Sequence, residues 1–198
     1  MNKSATLTKA PMSVMDAIYT RRAVRFYAPT PVDEGTVGLL LDAAVQAPTA
    51  VREEPWAFVL VQDRETLKRL SDDVKKSLDE VWRDVHLPEA SHDSRFSIPE
   101  NVFYDAGTLI VICGKPLGRF VAADCWLATE NLLLAARAMG LGTCVIGLAV
   151  NTLNAPKWKL ELGIPDEMTA FAPVIVGTPS GETPATSRHK PAVLRWIK

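Results

Sequence analysis

The chain has 198 residues, 47% of them hydrophobic, which is enough to bury the core of one domain. Its 22 basic and 23 acidic residues nearly cancel, and this balance excludes the extended positive field that nucleic-acid or membrane-surface binding requires. The three cysteines show no CxxC spacing, and the N-terminus lacks the apolar stretch of a signal peptide. We therefore expect reduced, buried thiols in a cytoplasmic protein.

The N-terminal part is predicted to contain a short arm followed by two helices. Residues 1–12 are expected to form a loose or partner-wrapping arm, which leaves residues 13–198 as a single domain. Ser13 can cap a short helix, because its side-chain oxygen can accept a hydrogen bond from a free N–H of the first turn. Asp33 opens a second helix with an apolar stripe, which must end by Pro48.

The rest of the chain mixes helices and strands irregularly. Buried strands are predicted at 56–63, 108–114, 142–147 and 170–179, and helices at 64–85, 118–139 and 154–163. This order predicts an α+β fold rather than a regular βαβ winding.

The longest apolar stretch, residues 120–140, contains Asp124, Glu130 and Arg137, whose charges would be costly at the centre of a bilayer. It is therefore predicted to be a buried helix, with apolar residues almost all the way round. Such a helix belongs in a large core, and a subunit interface is the expected way to cover its outer side.

Three glycines near the end of the long helix are not predicted to form a dinucleotide-binding site. Gly140, Gly142 and Gly147 do not form GxGxxG and follow a helix, whereas a dinucleotide site needs the opposite order. They are expected to cap the helix and to let a ligand approach the backbone closely.

The polar segment at 86–101 is expected to be a functional loop, such as a lid, or to be partly disordered. His86, Glu89 and His92 within it are three apart, as metal ligands on a helix can be, but Pro88 breaks that helix. No metal site is predicted.

The segment "YTRRAVRFYAPTPV" (residues 19–32) concentrates three arginines, Arg21, Arg22 and Arg25, without an acid beside them. Arginines at the C-terminus of a helix complement its dipole, which is worth ~0.3–1 kcal/mol each. The alternative is that they bind an anion supplied from outside. By themselves the residues leave both interpretations open.

Two other segments could complete an anion site. Pro48, Thr49 and Ala50 offer small side chains and backbone N–H groups against which a flat ligand could pack. The basic segment at 187–191, "SRHKP", is a second isolated cationic cluster. One ligand with a phosphate at one end and a polar planar head at the other would use both.

Four segments together resemble the FMN-dependent nitroreductase family. "RRAVR" is similar to its RRSxR start, "APTAVREEPWAFVLVQD" to its APSxxNxQPW segment, "GLGTCVIGLAV" to its GLGTxWIGGF segment, and "SRHKPAVLRW" to its basic RKPxxxxxxW end. The four occur in the family's order and span about residues 13–196.

The resemblance implies a nitroreductase-like α+β fold, with a central mixed, mainly antiparallel sheet flanked by helices. It also implies an intertwined homodimer with two FMN molecules at the subunit interface. The expected partners are a second copy of the chain and a small-molecule electron acceptor, with neither nucleic acid nor membrane.

By the same resemblance, the flavin would contact residues from all four segments. Arg21, Arg22 and Arg25 would bind its phosphate and pyrimidine edge, with Ala23 between them. The other implied cofactor-binding residues are Pro48, Thr49 and Ala50 from the partner subunit, Arg52 and Glu54 at the ring edge, Ile146, Gly147 and Leu148 beneath the ring, and Arg188 and Lys190 at the phosphate. A backbone N–H of Gly147 or Leu148 would point toward N5.

The chain departs from the family pattern at several of these positions. Ala23 replaces the usual serine, and Leu148 replaces a common glycine, which could narrow the pocket. Arg52 and Glu54 stand where Asn and Gln are usual, and Glu54 could pair with Arg52. His189 occupies a position often held by arginine, so the phosphate contact could have moved to a neighbour.

The implied activity is reduction of nitroaromatic, quinone or similar electron-poor compounds by NAD(P)H, through hydride transfer to and from flavin N5 with ping-pong kinetics. The chemistry belongs to the cofactor, so no catalytic side chain is expected. The alternatives are a specialised flavin enzyme on the same fold, such as a dehalogenase, an enoate reductase or a flavin-consuming enzyme, and a non-catalytic flavin-binding protein. NADH and NADPH are not distinguished, because no 2′-phosphate clamp stands out.

Overall fold

A four-stranded sheet lies at the centre of the protein in a computed structural model that describes residues 12–84 and 99–198. The strands are β1 (Trp56–Val61), β2 (Thr108–Gly114), β3 (Gly142–Val145) and β4 (Thr169–Gly177). Their order across the sheet is β1-β2-β4-β3, and every neighbouring pair is antiparallel. A parallel pairing occurs as an isolated bridge between Ala23 and Thr143. The predicted α+β class is confirmed.

Six helices accompany the strands in the described residues. They are α1 (Val14–Thr20), α2 (Glu34–Ala44), α3 (Arg64–Asp84), α4 (Val121–Ala138), α5 (Val150–Leu153) and α6 (Pro156–Leu162). Short 3₁₀ turns span Ala50–Arg52 and Gly147–Ala149. The segment containing His86, Glu89 and His92 lies outside the described residues.

The predicted helix ends are confirmed by their caps. Ser13 accepts a hydrogen bond from the Asp16 N–H at the start of α1, and Asp33 accepts one from the Thr36 N–H at the start of α2. Gly140 and Gly163 follow α4 and α6 with φ of +80° and +67°, a left-handed conformation that glycine adopts without a Cβ clash.

The sheet is buried on both faces, so it separates two hydrophobic layers. Side chains of β2 alternate between them, because successive residues of a strand point to opposite sides. On one side, here called the α3 face, Leu109 and Val111 pack with buried residues of α3 and α6 such as Leu70 and Trp158. On the other, the α4 face, Ile110 and Ile112 pack with buried residues of α2 and α4 such as Leu40 and Leu132.

The outer side of the α4 face remains apolar and exposed in the single chain. Trp126 and Leu127 on α4 are each 45% exposed, and Val14 and Ile18 on α1 are also exposed. The prediction that α4 is apolar on nearly its whole circumference agrees with this arrangement, since its other side is buried in the core.

The C-terminal segment leaves the sheet beside residues 26–28. Backbone hydrogen bonds join Ala28 to Thr178 and Ser180 to Phe26. Beyond them, residues 182–198 contain no helix or strand and are largely exposed. None of the helices in the described part of the chain is long and apolar enough to cross a membrane.

Candidate functional site

The end of α1 sets the direction of the arginine segment. Arg21 is the C-cap of α1 and has extended backbone, so the chain leaves the helix as a strand-like segment. That segment runs along β3, where the Val24 N–H donates to the Thr143 carbonyl at 2.9 Å. An added Cβ at Gly142 would lie 2.9 Å from Val24, so glycine is what permits this close approach.

This segment forms one wall of a cavity of about 310 Å³, here called the β3 cavity. The predicted residues Arg21, Ala23 and Arg25 line it together. The other walls come from α4 and β3: Trp126, Thr129, Glu130, Leu133, Thr143, Cys144 and Val145. The structure thus brings three of the predicted site residues to one place on the α4 face.

The charge in the β3 cavity is mainly positive and only loosely compensated. Nε of Arg21 is 3.9 Å from Oε1 of Glu130, at the outer limit of an ion pair. The Arg25 guanidinium lies over the Tyr104 ring, 5.8 Å from its centroid, where the electron-rich face of the ring stabilises a cation.

Two titratable groups beside the cavity are held in their neutral forms. Burial raises the pKa of the Cys144 thiol, and the nearby Arg25 and Arg21 offset only part of that effect. Burial also raises the pKa of Tyr27, whose hydroxyl donates to the Val24 carbonyl. Neither group is therefore a ready nucleophile or base at neutral pH.

Arg22 lies apart from the β3 cavity. Its Nη1 donates to the carbonyls of Tyr19 and Arg21, at 2.8 and 2.7 Å, which is the helix-end role that the sequence left open. Arg22 lines a neighbouring cavity of about 180 Å³, here called the arginine cavity. Arg21 lines both cavities. The contacts of Arg22 fit the helix-end interpretation, and anion binding by the cluster stays a prediction.

The segment from Pro48 to Glu54 lies away from both cavities within one chain. Its anchor is Asp124, a buried acid of α4 whose carboxylate accepts a hydrogen bond from the Ala50 N–H at 3.2 Å. This role of Asp124 was not predicted from the sequence, although a charged residue within the long apolar stretch was a signal for it. Pro48 and Thr49 precede the anchor and line neither cavity.

The same segment has a strained backbone. Val51, Arg52 and Glu54 have φ of 47°, 61° and 45°. Left-handed backbone is costly for these residues, above all for β-branched valine, and persists only where surrounding contacts enforce it. The suggested pairing of Glu54 with Arg52 is wrong, since no ion pair joins them among the described residues; both lie exposed on this turn.

The predicted residues Ile146, Gly147 and Leu148 follow β3 directly. Ile146 is buried and its N–H donates to the Pro173 carbonyl, which ties the turn to β4. Gly147 and Leu148 open the 3₁₀ turn, so their N–H groups have no acceptor within it. An added Cβ at Gly147 would meet nothing within 4 Å, so the backbone there is open to a ligand.

Arg188 and Lys190 lie in the exposed C-terminal segment and line neither cavity. The nearest lining residue along this segment is Thr183, in the arginine cavity. A single chain therefore assembles only part of the predicted site.

The donor set that is assembled suits an anionic, partly planar ligand. Guanidinium groups are matched to phosphate and to electron-rich ring edges, and Trp126 and Leu133 supply apolar walls. Within residues 12–84 and 99–198, no three His, Cys, Asp or Glu side chains are grouped so as to hold a metal ion.

A larger cavity, of about 520 Å³, lies elsewhere, between α3 and residues 100–107. It is lined by Gln62, Lys68, Lys75, Asn101 and Phe103 among others, and by none of the predicted site residues. Its size therefore does not make it the site.

Comparisons with known proteins identify the family. The sequence profile described as the Nitroreductase family matches residues 18–178. A protein of Archaeoglobus fulgidus, provisionally named NADH dehydrogenase/NAD(P)H nitroreductase, is 33% identical over 170 residues, covering 83% of this chain and 84% of that protein. A 5,6-dimethylbenzimidazole synthase of Rhodospirillum rubrum is 31% identical over 183 residues, covering 86% of this chain and 84% of that enzyme.

The fold is shared with a solved structure. The crystal structure of a nitroreductase with bound FMN from Bacteroides fragilis superposes with a TM-score of 0.76 at 24% identity, covering 94% of this chain and 98% of that one. The matched profile includes the end of α1, the arginine segment, the sheet and α4. The chain therefore belongs to the nitroreductase family of oxidoreductases.

Proposed function

We propose that the protein is an FMN-dependent NAD(P)H oxidoreductase that reduces nitroaromatic, quinone or similar electron-poor acceptors. The observation that carries this proposal is the β3 cavity, in which Arg21, Ala23 and Arg25 face α4 and β3. The relatives named as nitroreductases support the same reaction class. The three buried, unpaired cysteines fit a cytoplasmic location.

FMN, when bound, would supply the chemistry, accepting a hydride equivalent from NAD(P)H and passing it to the acceptor. The task of the chain is to hold and orient it. Arg25 would hold the pyrimidine edge, and its guanidinium would stabilise negative charge there. The backbone N–H of Gly147 or Leu148 would donate to N5, and Ile146 would support the ring from below.

Arg21 and Arg22 would hold the phosphate of FMN in the arginine cavity. Arg188 and Lys190 would complete it from the C-terminal segment, whose first residues already lie along the arginine cavity. This assignment needs the exposed segment to be brought over the site.

A homodimer would supply the parts that one chain lacks. The exposed side chains of α1 and α4, with Leu194 and Trp196 in the C-terminal segment, form apolar surface that a second copy would cover. Pro48, Thr49 and Ala50, with Arg52 and Glu54, would then reach the flavin of the partner subunit. Asp124 would hold that segment in its strained form from behind.

A purified sample tests the proposal directly. We expect yellow protein whose visible flavin absorption is bleached anaerobically by NADH or NADPH and restored by a nitroaromatic or a quinone. Colourless protein that does not take up FMN would refute the cofactor assignment. Yellow protein that neither nucleotide bleaches would refute the NAD(P)H oxidoreductase and leave the specialised flavin enzyme and the non-catalytic, flavin-binding protein as alternatives.

A specialised flavin enzyme is the second candidate, and the synthase of Rhodospirillum rubrum is the observation that favours it. Leu148, half exposed at the end of β3, stands where the family often has glycine and would narrow the space for an acceptor. A panel of acceptors under anaerobic steady-state conditions separates the two. If every nitroaromatic and quinone fails while the flavin is still reduced by NAD(P)H, the specialised enzyme is favoured.

A further inference from the structure

The arginine cavity contains a third arginine, Arg137, which belongs to none of the four segments that resemble the family. It reaches the cavity from the last turn of α4, beside Arg21 and Arg22. No acidic residue lines the cavity, although Glu182 is adjacent in sequence to two lining residues. Three guanidinium groups around one cavity repel each other unless an anion lies between them.

We propose that Arg137 is a binding residue of an anion subsite that takes the phosphate monoester end of a flavin nucleotide, together with Arg21 and Arg22. The proposal rests on the proposed function for the identity of the ligand. It adds to that function a residue on α4, whereas the resemblance placed the phosphate contacts only in the arginine and C-terminal segments.

The position of Arg137 is fixed by Thr20. Nε of Arg137 donates to Oγ1 of Thr20 at 2.9 Å, and that hydroxyl in turn donates to the Asp16 carbonyl. The Thr20 hydroxyl therefore donates its proton to a carbonyl of α1 and accepts a hydrogen bond from Arg137 through a lone pair. Because this contact uses Nε, the two terminal nitrogens of Arg137 are left to form the fork that matches a phosphate.

The other two arginines are partly committed elsewhere. Nη1 of Arg22 donates to two backbone carbonyls. The acid that pairs with Arg21, Glu130, lines the β3 cavity and not the arginine cavity. Neither Arg22 nor Arg137 forms an ion pair with any residue that the structure describes. The positive charge of Arg137 is thus the least compensated at this end of the site.

A purely structural role makes a different prediction. Arg137 lies in the last turn of α4, where a cation stabilises the helix by complementing its dipole. Such a contribution would change the stability of the protein and would not distinguish ligands with a phosphate from ligands without one. Riboflavin, which has the ring and ribityl chain of FMN but no phosphate, separates the two roles.

The experiment measures the dissociation constants of FMN and riboflavin by fluorescence titration of the full-length, flavin-free protein. We expect Arg137→Ala to weaken FMN binding about tenfold, the loss of one charge-assisted contact, while riboflavin binding stays within about twofold. Arg137→Lys should lie between, because it keeps the charge and loses the fork. Inorganic phosphate should compete with FMN but not with riboflavin in the unaltered protein, and less so in Arg137→Ala.

Thr20 provides a second test that leaves every arginine in place. Thr20→Val removes the hydroxyl at nearly constant shape and should weaken FMN binding a few-fold, whereas Thr20→Ser should leave it unchanged. Arg69→Ala is the matched control, since Arg69 lies on α3 with Glu161 as its partner and should alter neither dissociation constant. Should Arg137→Ala fail to fold, Arg137→Lys and Thr20→Val carry the test.

An equal loss of FMN and riboflavin affinity in Arg137→Ala would overturn the proposal in favour of the structural role. Unchanged affinity for both ligands would overturn it as well. If the unaltered protein binds neither flavin, the proposed function itself has failed. If it binds both flavins with equal affinity, the function stands and the phosphate subsite does not.

Discussion

The two faces of the sheet differ in how completely a single chain covers them. On the α3 face, Trp158 is almost fully buried and its indole N–H donates to Asp73, which also pairs with Lys157. An ion pair between Arg69 and Glu161 closes the outer edge of the same interface. On the α4 face, Trp126 and Leu127 remain exposed on a helix whose other side is core.

From this difference we expect the α3 face to be structural and the α4 face to be functional. On the α3 face, polar contacts between α3 and α6 cover the core within one chain. Both arginine-lined cavities lie on the α4 side of the molecule, next to the uncovered apolar surface. Subunit association and ligand binding are therefore expected to depend on the same surface, and the α3 face serves as the support.

Trp158→Ala should have the largest effect and should test the support alone. Removing a buried tryptophan side chain costs about 3–5 kcal/mol of unfolding free energy, and here it also leaves Asp73 without one donor. Urea unfolding followed by circular dichroism measures it. The loss should be the same at low and high protein concentration; a loss that depends on concentration would place Trp158 in the subunit contact instead.

Leu127→Asp should weaken the association of two subunits through the α4 face. A carboxylate in an apolar contact must be desolvated, so we expect the subunits to dissociate at least about 100-fold more readily. Analytical ultracentrifugation gives the dissociation constant. Leu160→Asp is the matched control, because Leu160 is an exposed leucine of α6 on the α3 face and should not change the assembly. Equal effects of both variants would contradict the comparison.

Asp124→Ala should release the strained segment after Pro48. The partly buried Ala50 N–H loses its acceptor, which costs about 1 kcal/mol. Hydrogen exchange at residues 48–54 should become faster, and FMN binding weaker. Asp124→Asn keeps an acceptor oxygen and should behave more like the unaltered protein; no change in either variant would mean that other contacts hold the segment.

Arg21→Ala separates the two roles of the arginine cluster. Because Arg21 lines both cavities, we expect FMN affinity to fall by about tenfold, while the melting temperature of the flavin-free protein changes by only a few degrees. Titration with FMN and differential scanning fluorimetry provide the two values. A large drop in melting temperature with unchanged FMN affinity would assign Arg21 to the helix end.

The smallest effect near neutral pH concerns one buried thiol on each face. Burial raises the pKa of Cys113, on the α3 face, to about 11, and that of Cys125, on the α4 face, to about 12, from an ordinary value of 9.0. The unfolded chain therefore loses these protons first as the pH rises. The stability contributed by each neutral thiol is complete below pH 9.0 and is lost progressively up to the folded-state value.

Urea unfolding between pH 8 and pH 10 measures this loss, which approaches ~1.4 kcal/mol per pH unit for each thiol above its unfolded pKa. Cys125→Ala should reduce the slope and leave the part due to Cys113 and Cys144. An unchanged slope would mean that other groups, such as the buried Tyr27, dominate the alkaline loss.

Local sequence patterns were sufficient for most of the secondary structure. The caps at Ser13 and Asp33 and the glycine after α6 act over a few residues, so their hydrogen bonds and φ angles could be read directly. The strand at Thr108–Gly114 was predicted with its observed ends. Its seven residues lie between turn signals in the sequence, and all seven are buried in the structure. The strand predicted at 142–147 ends earlier, at Val145, since the chain turns at Ile146 to bond Pro173.

The arrangement of the site depended on contacts between distant residues. The sequence could not say which arginine faces which cavity, because that follows from the pairing of Val24 with Thr143, over a hundred residues away. It gave no reason to join Asp124 to Ala50 or Arg137 to Thr20.

By itself, then, the sequence determined the α+β class and the family, and it predicted the residues from which a flavin site would be built. Only the tertiary structure decided that Arg21 and Arg25 line one cavity and that Arg22 bonds to the end of α1. It also decided that Arg137 lines the same cavity as Arg22. The physical reason is range: caps and periodicity are local, whereas a binding site is assembled by sheet pairing and helix packing between segments far apart in the chain.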